Sequence, residues 1–385
     1  METLPLELPG AIALELPIAD VRRFRLLGRR YADAGFPALV RELSFLNTLD
    51  TADALQTISR SPYGSLGAAR HLTIYDGAWP VVASQEEWAR HFLFLSSRTK
   101  CNPIATQLAY HRYVQFLRRE ASRTFDTDVQ LFRIVLAHFP SLRELTLSHI
   151  HSWRMQYLDH AHFRNLTNSI WVVPSFESFV ANAMSRLLPV LGTCLRLQRL
   201  NVEGLLDTRD LEPGRYRYNT IRHLCLNAVL AGEGLEDSIA SFLGAFPRLT
   251  TLTIRTIPRG PINHQRLPLQ QMRWPDLQFC DIISAWVPED ELFGFTERHH
   301  PLDCLTLKQV TLTSGSWKSF FSRARELKPR PNIVCEGILP SRNSEGRWIE
   351  DFKSQRLLDW FLTNTKRPWP FLDPDDDIPP FSLSP

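Results

Sequence analysis

From residue 139 to 310, apolar residues return in one frame, apolar-x-x-apolar-x-apolar-x-x-apolar. Six segments carry it: 139–150, 194–205, 219–229, 246–257, 274–285 and 300–310. The frame opens at Leu142, Leu197, Ile221, Leu249, Leu277 and Leu302, in steps of 55, 24, 28, 28 and 25 residues. The last four steps suit a supersecondary unit repeated every ~20–29 residues, and the first leaves room for one degenerate repeat. Pro140, Pro247 and Pro275 stand two positions before the opening residue, and Pro301 one before. Proline belongs just outside a strand because it cannot donate to the ladder. Each segment therefore predicts a strand. Helix-like stretches lie around them at 130–138, 176–191, 233–246, 289–298 and 316–327. In the third stretch Leu235, Ile239, Phe242 and Phe246 recur at three- and four-residue steps and make one apolar helical face. Such units cannot bury that face alone. Stacked, they form an α/β solenoid, curved, with a parallel sheet on its concave side.

Side chains alternate along a strand, so the residues between the apolar ones face outwards. These are Glu144, Thr146, Ser148; Arg199, Asn201, Glu203; His223, Cys225, Asn227; Thr251, Thr253, Arg255; Phe279, Asp281, Ile283; and Cys304, Thr306, Lys308. The face is polar and of mixed sign, broken by an apolar patch at Phe279 and Ile283. Such a surface is either a partner-binding face or an ordinary solvated one. The partner-binding reading selects Arg199, Asn201, His223, Asn227, Thr253, Arg255, Phe279, Asp281, Thr306 and Lys308 as candidate contacts for a protein target.

The first fifty residues have a different texture. Leu8, Ile12 and Leu16 fall at four-residue steps, Pro17 ends that run, and Asp20 is placed to cap the next. A second helical pattern puts Val21, Phe24, Leu27 and Tyr31 on one side; Gly35 and Pro37 then punctuate the chain before Leu39, Val40 and Leu43. A bundle of ~40 residues buries too little surface to be robust alone, so this one is expected to lean on a partner. Between it and the first clear segment, residues 84–128 read as a helical insertion that caps the open end of the array.

Composition narrows the chemistry. The chain has 385 residues, 44% hydrophobic and 22% charged, which are globular proportions. With 44 Lys and Arg against 41 Asp and Glu the formal charge is +3, too even for a nucleic-acid binder driven by bulk charge. Six cysteines without a C-x-x-C pair read as reduced core thiols, and no run of apolar residues suits a signal peptide or a membrane span. A cytoplasmic or nuclear protein, with no membrane partner, is expected. Arg22, Arg23, Arg25, Arg29 and Arg30 read as the solvated side of a helix. The pairs His149/His151 and His160/His162 have a strand spacing that metal sites use, but only Asp159 accompanies them, so no metal is assigned. His299 reads as a cation at a helix end. No phosphate-loop, dinucleotide, metalloprotease or nucleophile-elbow motif is present, and no cofactor or catalytic residue is assigned.

Two resemblances add to this. The repeats resemble leucine-rich-repeat proteins in their irregular form. The position that often carries a ladder Asn or Cys holds Ile150, Leu205, Val229, Ile257, Ala285 or Val310, so the turn after each strand must be packed by apolar contact. At the other end, Leu4-Pro5-x-Glu7-Leu8, Ile12, Leu16, Asp20-Val21, Leu27 and Arg30-Tyr31 resemble the F-box motif, over about residues 4–46. The stretch from Leu305 to Trp317, with its Thr-Leu-Thr-Ser-Gly-Ser-Trp close, is similar to the C-terminal repeats of the large fungal group of F-box proteins. The resemblance implies a helical module docking on a Skp-family adaptor and, through a cullin, joining an SCF-type ubiquitin ligase, while the repeats hold the substrate. It implies Leu4, Pro5, Leu8, Ile12 and Leu16 as adaptor contacts or module core. The alternative is a non-catalytic repeat scaffold not engaged with a ligase.

The domain organisation expected is an all-α module over 1–50 and a mostly helical linking and capping region over 51–138. An irregular repeat solenoid follows over 139–340, then a C-terminal cap over 341–366. A Pro- and Asp-rich tail over 367–385 is too polar to order itself.

Overall fold

The computed structural model describes residues 7–59, 69–77, 79–91, 102–149, 166, 168–172, 183–209, 211, 216–232, 234–258, 266–299, 301–337, 339–342, 348–350 and 355–370. The chain divides into two compact units, Met1–Gly204 and Leu205–Pro385.

The first unit opens with helices α1 (Glu7–Glu15), α2 (Ile18–Arg25) and α3 (Arg29–Leu39). They pack around Ala13, Val21 and Ala38, with Leu16, Phe24 and Leu39 half-buried against them. Three sequence expectations are corrected here. Asp20 does not cap α2: the N-cap position is Pro17, whose carbonyl accepts the Asp20 and Val21 amides at 2.9 Å, and Asp20 pairs with Arg23 instead. The second helix does not run on to Tyr31, because Gly28 takes a φ of 150° and breaks it, which turns Leu27 outwards. Gly35 and Pro37 do not end a helix; α3 runs through both. Gly35 is buried there because a β-carbon would come within 2.8 Å of Arg25 Cγ, so its hydrogen lets α2 and α3 approach.

Next come α4 (Leu49–Ser59), α5 (Gln85–Ala89), α6 (Pro103–Ala121), α7 (Phe125–Ala137) and α8 (Ala183–Leu191). Strands β1 (Glu42–Leu46), β2 (His71–Asp76), β3 (Glu144–His149) and β4 (Arg199–Val202) pair in that order, all parallel. The regions expected to be helical over 1–50 and mostly helical over 51–138 thus hold two strands. Val40-x-x-Leu43-x-Phe45 and Ala69-x-x-Leu72-x-Ile74 keep the repeat frame with a smaller opening residue, and Ala69, Leu72 and Ile74 are fully buried. The degenerate repeat allowed for between β3 and β4 does not insert a strand between them in the sheet, since Glu144 pairs directly with Arg199.

The insertion forms an aromatic cluster of its own around Trp88, Tyr113 and Phe116. Through Trp79 and Leu166 this cluster reaches Leu46 and Tyr75, at the C-terminal ends of β1 and β2. Beside it Arg123 ties the elements together. Its guanidinium donates to Asp128 (2.6 Å), Glu120 (2.9 Å) and the Asn47 carbonyl (3.0 Å) and side chain (2.8 Å), while Arg186 takes the other Asp128 oxygen at 2.7 Å. Asn47 in turn donates to Asp76, whose carboxyl burial pushes up in pKa against the opposing bonds from Asn47 and the Ala183 and Gly77 amides.

The second unit holds β5 (His223–Ala231), β6 (Thr251–Pro258), β7 (Phe279–Ile283), β8 (Trp286–Val287), β9 (Cys304–Lys308), β10 (Thr311–Leu312), β11 (Asn332–Glu336), β12 (Pro340–Arg342) and β13 (Trp348–Glu350). Its helices are α9 (Glu236–Gly244), α10 (Glu289–Arg298), α11 (Trp317–Ala324) and α12 (Gln355–Leu362). Strands β5, β6, β7, β9 and β11 pair in parallel in that order; β8, β10 and β12 form a second parallel row, closed by β13 antiparallel to β12. The chain passes between the rows through a left-handed residue at the same place each time: Ser284 (φ 55°) after β7, Gln309 (φ 53°) after β9 and Gly337 (φ 78°) after β11.

The residues at the first three frame positions of all six segments are buried, none more than 4% exposed. At the fourth position Val229, Ala285 and Val310 are fully buried, Leu205 and Ile257 are half-buried, and Ile150 lies outside the described residues. Strand β11 was missed because its register puts Arg330 where Leu302 opens the preceding repeat. Its outer edge is closed by Gln355, whose amide accepts from Cys335 N–H (2.8 Å) and donates to the Ile333 carbonyl (2.9 Å).

Helix α11 is capped by Ser316 and by Glu289, whose carboxylate accepts from Ser316 N–H (2.8 Å), Ser319 Oγ (2.6 Å) and Arg323 (3.2 Å). His299 is not an exposed cation. It is 2% exposed, accepts the Trp274 amide on Nε2 (3.1 Å) and faces the Phe295 carbonyl through Nδ1 (2.7 Å), and burial holds its pKa below the usual value. Arg367–Pro370, expected to begin a tail, are placed: the Trp369 ring packs on Phe321 and Phe361. Residues 371–385 lie outside the described residues.

Candidate partner-binding surfaces

The helical module presents apolar side chains to solvent. Leu8 and Ile12 are each 45% exposed on α1, Leu26 is 85% and Leu27 63% exposed at the turn into α3, and Leu14 is partly exposed as well. Of the residues implied as adaptor contacts, Leu8 and Ile12 thus point outwards, Leu16 packs into the module core, and Leu4 and Pro5 lie outside the described residues. Leu26 and Leu27 were missed as surface residues because periodicity alone assigned Leu27 to a buried helical side; the glycine after them was the available signal. The arginines around them are largely solvated. Arg22, Arg23 and Arg29 are exposed, and Arg25 donates to the Ala32 carbonyl at 3.0 Å with its guanidinium over Phe36.

On β3 and β4 the outward residues bond one another. Glu144 receives Asn201 (2.8 Å), Arg199 (3.4 Å) and, from β2, His71 (3.2 Å); Asn201 also donates to Thr146 at 3.2 Å, and Ser148 bonds Glu203. Arg199 and Asn201 are therefore engaged within their own sheet.

In the second unit the strand pairing sets the outward residues in rows. One row is His223, Thr251, Phe279, Cys304 and Asn332; the next is Cys225, Thr253, Asp281, Thr306 and Val334; the third runs Arg255, Ile283, Lys308 and Glu336. A bulge between Leu226 and Val229 takes exposed Asn227 out of that third row. Phe279 is 46% exposed. Thr253 donates to Asp281 at 3.0 Å, and Lys308 pairs with Glu336 at 2.8 Å. The face thus brings together His223, Thr253, Arg255, Phe279, Asp281, Thr306 and Lys308 from the candidate set and adds Asn332, Val334 and Glu336. Beneath it, burial pushes the Cys280 and Cys335 thiols up in pKa, so they remain protonated packing groups.

Among the described residues no group of three or more His, Cys, Asp or Glu could hold a metal ion, and no helix is long and apolar enough to cross a membrane. His151, His160 and His162 lie outside them. The chain matches no family model, and no curated protein is significantly similar to it.

Proposed function

We propose that this chain is the substrate-recognition subunit of an SCF-type cullin-RING ubiquitin ligase, an F-box protein whose helical module docks on a Skp-family adaptor and whose repeat surface holds a protein target. The observation that carries the reading is the set of exposed leucines and isoleucine on a module whose own core is small. Covering half-exposed Leu8 and Ile12 and the more exposed Leu26 and Leu27 with a partner is worth about 1 kcal/mol or more for each, or about 4 kcal/mol together. That is roughly a thousandfold in affinity. The repeat frame and the F-box-like residues sit in separate parts of the sequence and support one another.

In this reading the chain transfers nothing itself. Holding a target lysine near a ubiquitin-loaded enzyme raises its effective concentration, so positioning alone accelerates a reaction whose reacting groups belong to other subunits. The place of action is the cytoplasm or nucleus, where such ligases work. Co-purification tests the proposal. The full-length chain should bring down adaptor and cullin, and Leu27→Asp, an exposed position, should abolish both while leaving thermal unfolding unchanged. Normal expression without either protein favours the scaffold alternative, in which the module only closes the array.

A further inference from the structure

We infer that the strand face of the second unit selects a target segment that carries an acidic side chain with one apolar side chain beside it and another about four residues away, Arg255 reading the acid, Ile283 the adjacent apolar group and Phe279 the farther one. The inference rests on the reading of that face as the target-binding surface and specifies what it binds.

Of the four charged side chains on the face, three are engaged. Lys308 is neutralised by Glu336, and Asp281 accepts the Thr253 hydroxyl. Arg255 is exposed and has neither an ion-pair nor a hydrogen-bond partner among the described residues. Its register partner is half-buried Ile283, so the two residues stand side by side on neighbouring strands whose backbones are about 4.8 Å apart. Phe279 stands four residues earlier on the same strand, about 13 Å along. Aromatic residues and arginine are enriched at protein interfaces, because the rings bury area cheaply and the guanidinium forks onto carboxylate or phosphate. A basic segment gains nothing at Arg255. It would meet a cation with no acid beside it in the row except Glu336, which Lys308 already holds.

Asp281 sits between the two apolar residues on β7 and sets a polarity. The occupant's acid belongs at the Arg255 end, and a hydrogen-bond donor suits the middle of the face. An unmodified aspartate or glutamate and a phosphorylated serine offer Arg255 the same chemistry, and the test separates them.

The probe is an array of synthetic twelve-residue peptides. One position carries Asp, Glu, phosphoserine, Ser or Lys, and a neighbouring position and one four residues away each carry Leu, Phe or Ser; the array is incubated with the purified full-length chain. Acidic peptides with an apolar neighbour should be retained about tenfold over their Lys counterparts. Arg255→Glu should reverse the charge preference, and Phe279→Ala should weaken the apolar preference at the farther position. Both positions are exposed, and unchanged thermal unfolding confirms that each variant folds. Retention of phosphoserine but not Asp or Glu peptides identifies a modified target; retention of all three identifies a charge-reading face. A preference that Arg255→Glu leaves intact, or no retention of acidic over basic peptides, overturns the inference. Adaptor co-purification is read separately on the same variants. Its loss in the wild-type chain would remove the ligase reading while the peptide selectivity stood; its persistence without selectivity would remove only the inference.

Discussion

Gly315 lies in the Thr-Ser-Gly-Ser-Trp stretch that leads into α11, and its place in the fold gives that sequence a physical reason. Its φ is +79°, a left-handed conformation that costs a residue with a β-carbon about 1–2 kcal/mol. Any β-carbon there would also stand 2.5 Å from Glu289 Cβ and collide with the carboxylate. The carboxylate would have to leave Ser316 N–H, Ser319 Oγ and Arg323, and charge-assisted bonds of this kind are worth about 1.5–3 kcal/mol each. Partial relaxation limits the total, so Gly315→Ala should cost about 3–5 kcal/mol. For a unit of this size that lowers the thermal midpoint by about 8–15 °C. Differential scanning calorimetry of the full-length chain reads the shift. Asparagine tolerates left-handed backbone but brings the same β-carbon, so Gly315→Asn should lose most of the same stability. A change below about 1 kcal/mol for Gly315→Ala, or a neutral Gly315→Asn, would refute the idea that the glycine makes room for the Glu289 cap.

Further outcomes follow from the buried polar contacts. Arg123→Leu strips the guanidinium from Glu120, from the Asn47 carbonyl and side chain and from one Asp128 oxygen, leaving Asp128 with Arg186 alone, and should cost about 3 kcal/mol in urea unfolding; a neutral result would mean the network does not hold α7 to β1. His299 takes no proton readily while folded but does so near pH 6.5 when unfolded. Its contribution is therefore complete above that pH and lost as pH falls below it, and His299→Gln should flatten the decline in thermal midpoint between pH 7 and 5. Gln355→Ala uncovers the β11 edge; sedimentation velocity should show new self-association, since an open parallel edge recruits strands. A monomer throughout would show that the edge is covered by other means.

Much of the repeat was legible because its first three frame positions must be apolar whatever else varies, and period-2 alternation then fixed which residues face outwards. Strands β1, β2 and β11 escaped for one reason: the opening position holds Val40, Ala69 or Arg330 rather than a large aliphatic residue. Hydrogen bonding across the sheet held them in register regardless. The boundary between buried and exposed leucines in the helical module hung on one residue, Gly28, whose backbone breaks α2 and which periodicity does not weigh. His299 read as a helix-end cation because the Trp274 amide that bonds its ring comes from 25 residues away in the sequence. Which charges on the strand face are already neutralised likewise depends on pairing across strands, as with Lys308 and Glu336.

The central claim is that solvent-facing leucines of the helical module recruit a Skp-family adaptor. Titration calorimetry of purified adaptor into the full-length chain tests it directly. The account predicts saturable one-to-one binding, weakened at least a hundredfold by the paired change Leu26→Asp and Leu27→Asp with the unfolding midpoint unchanged. Absence of heat with the wild-type chain, or equal affinity for the variant, would contradict it.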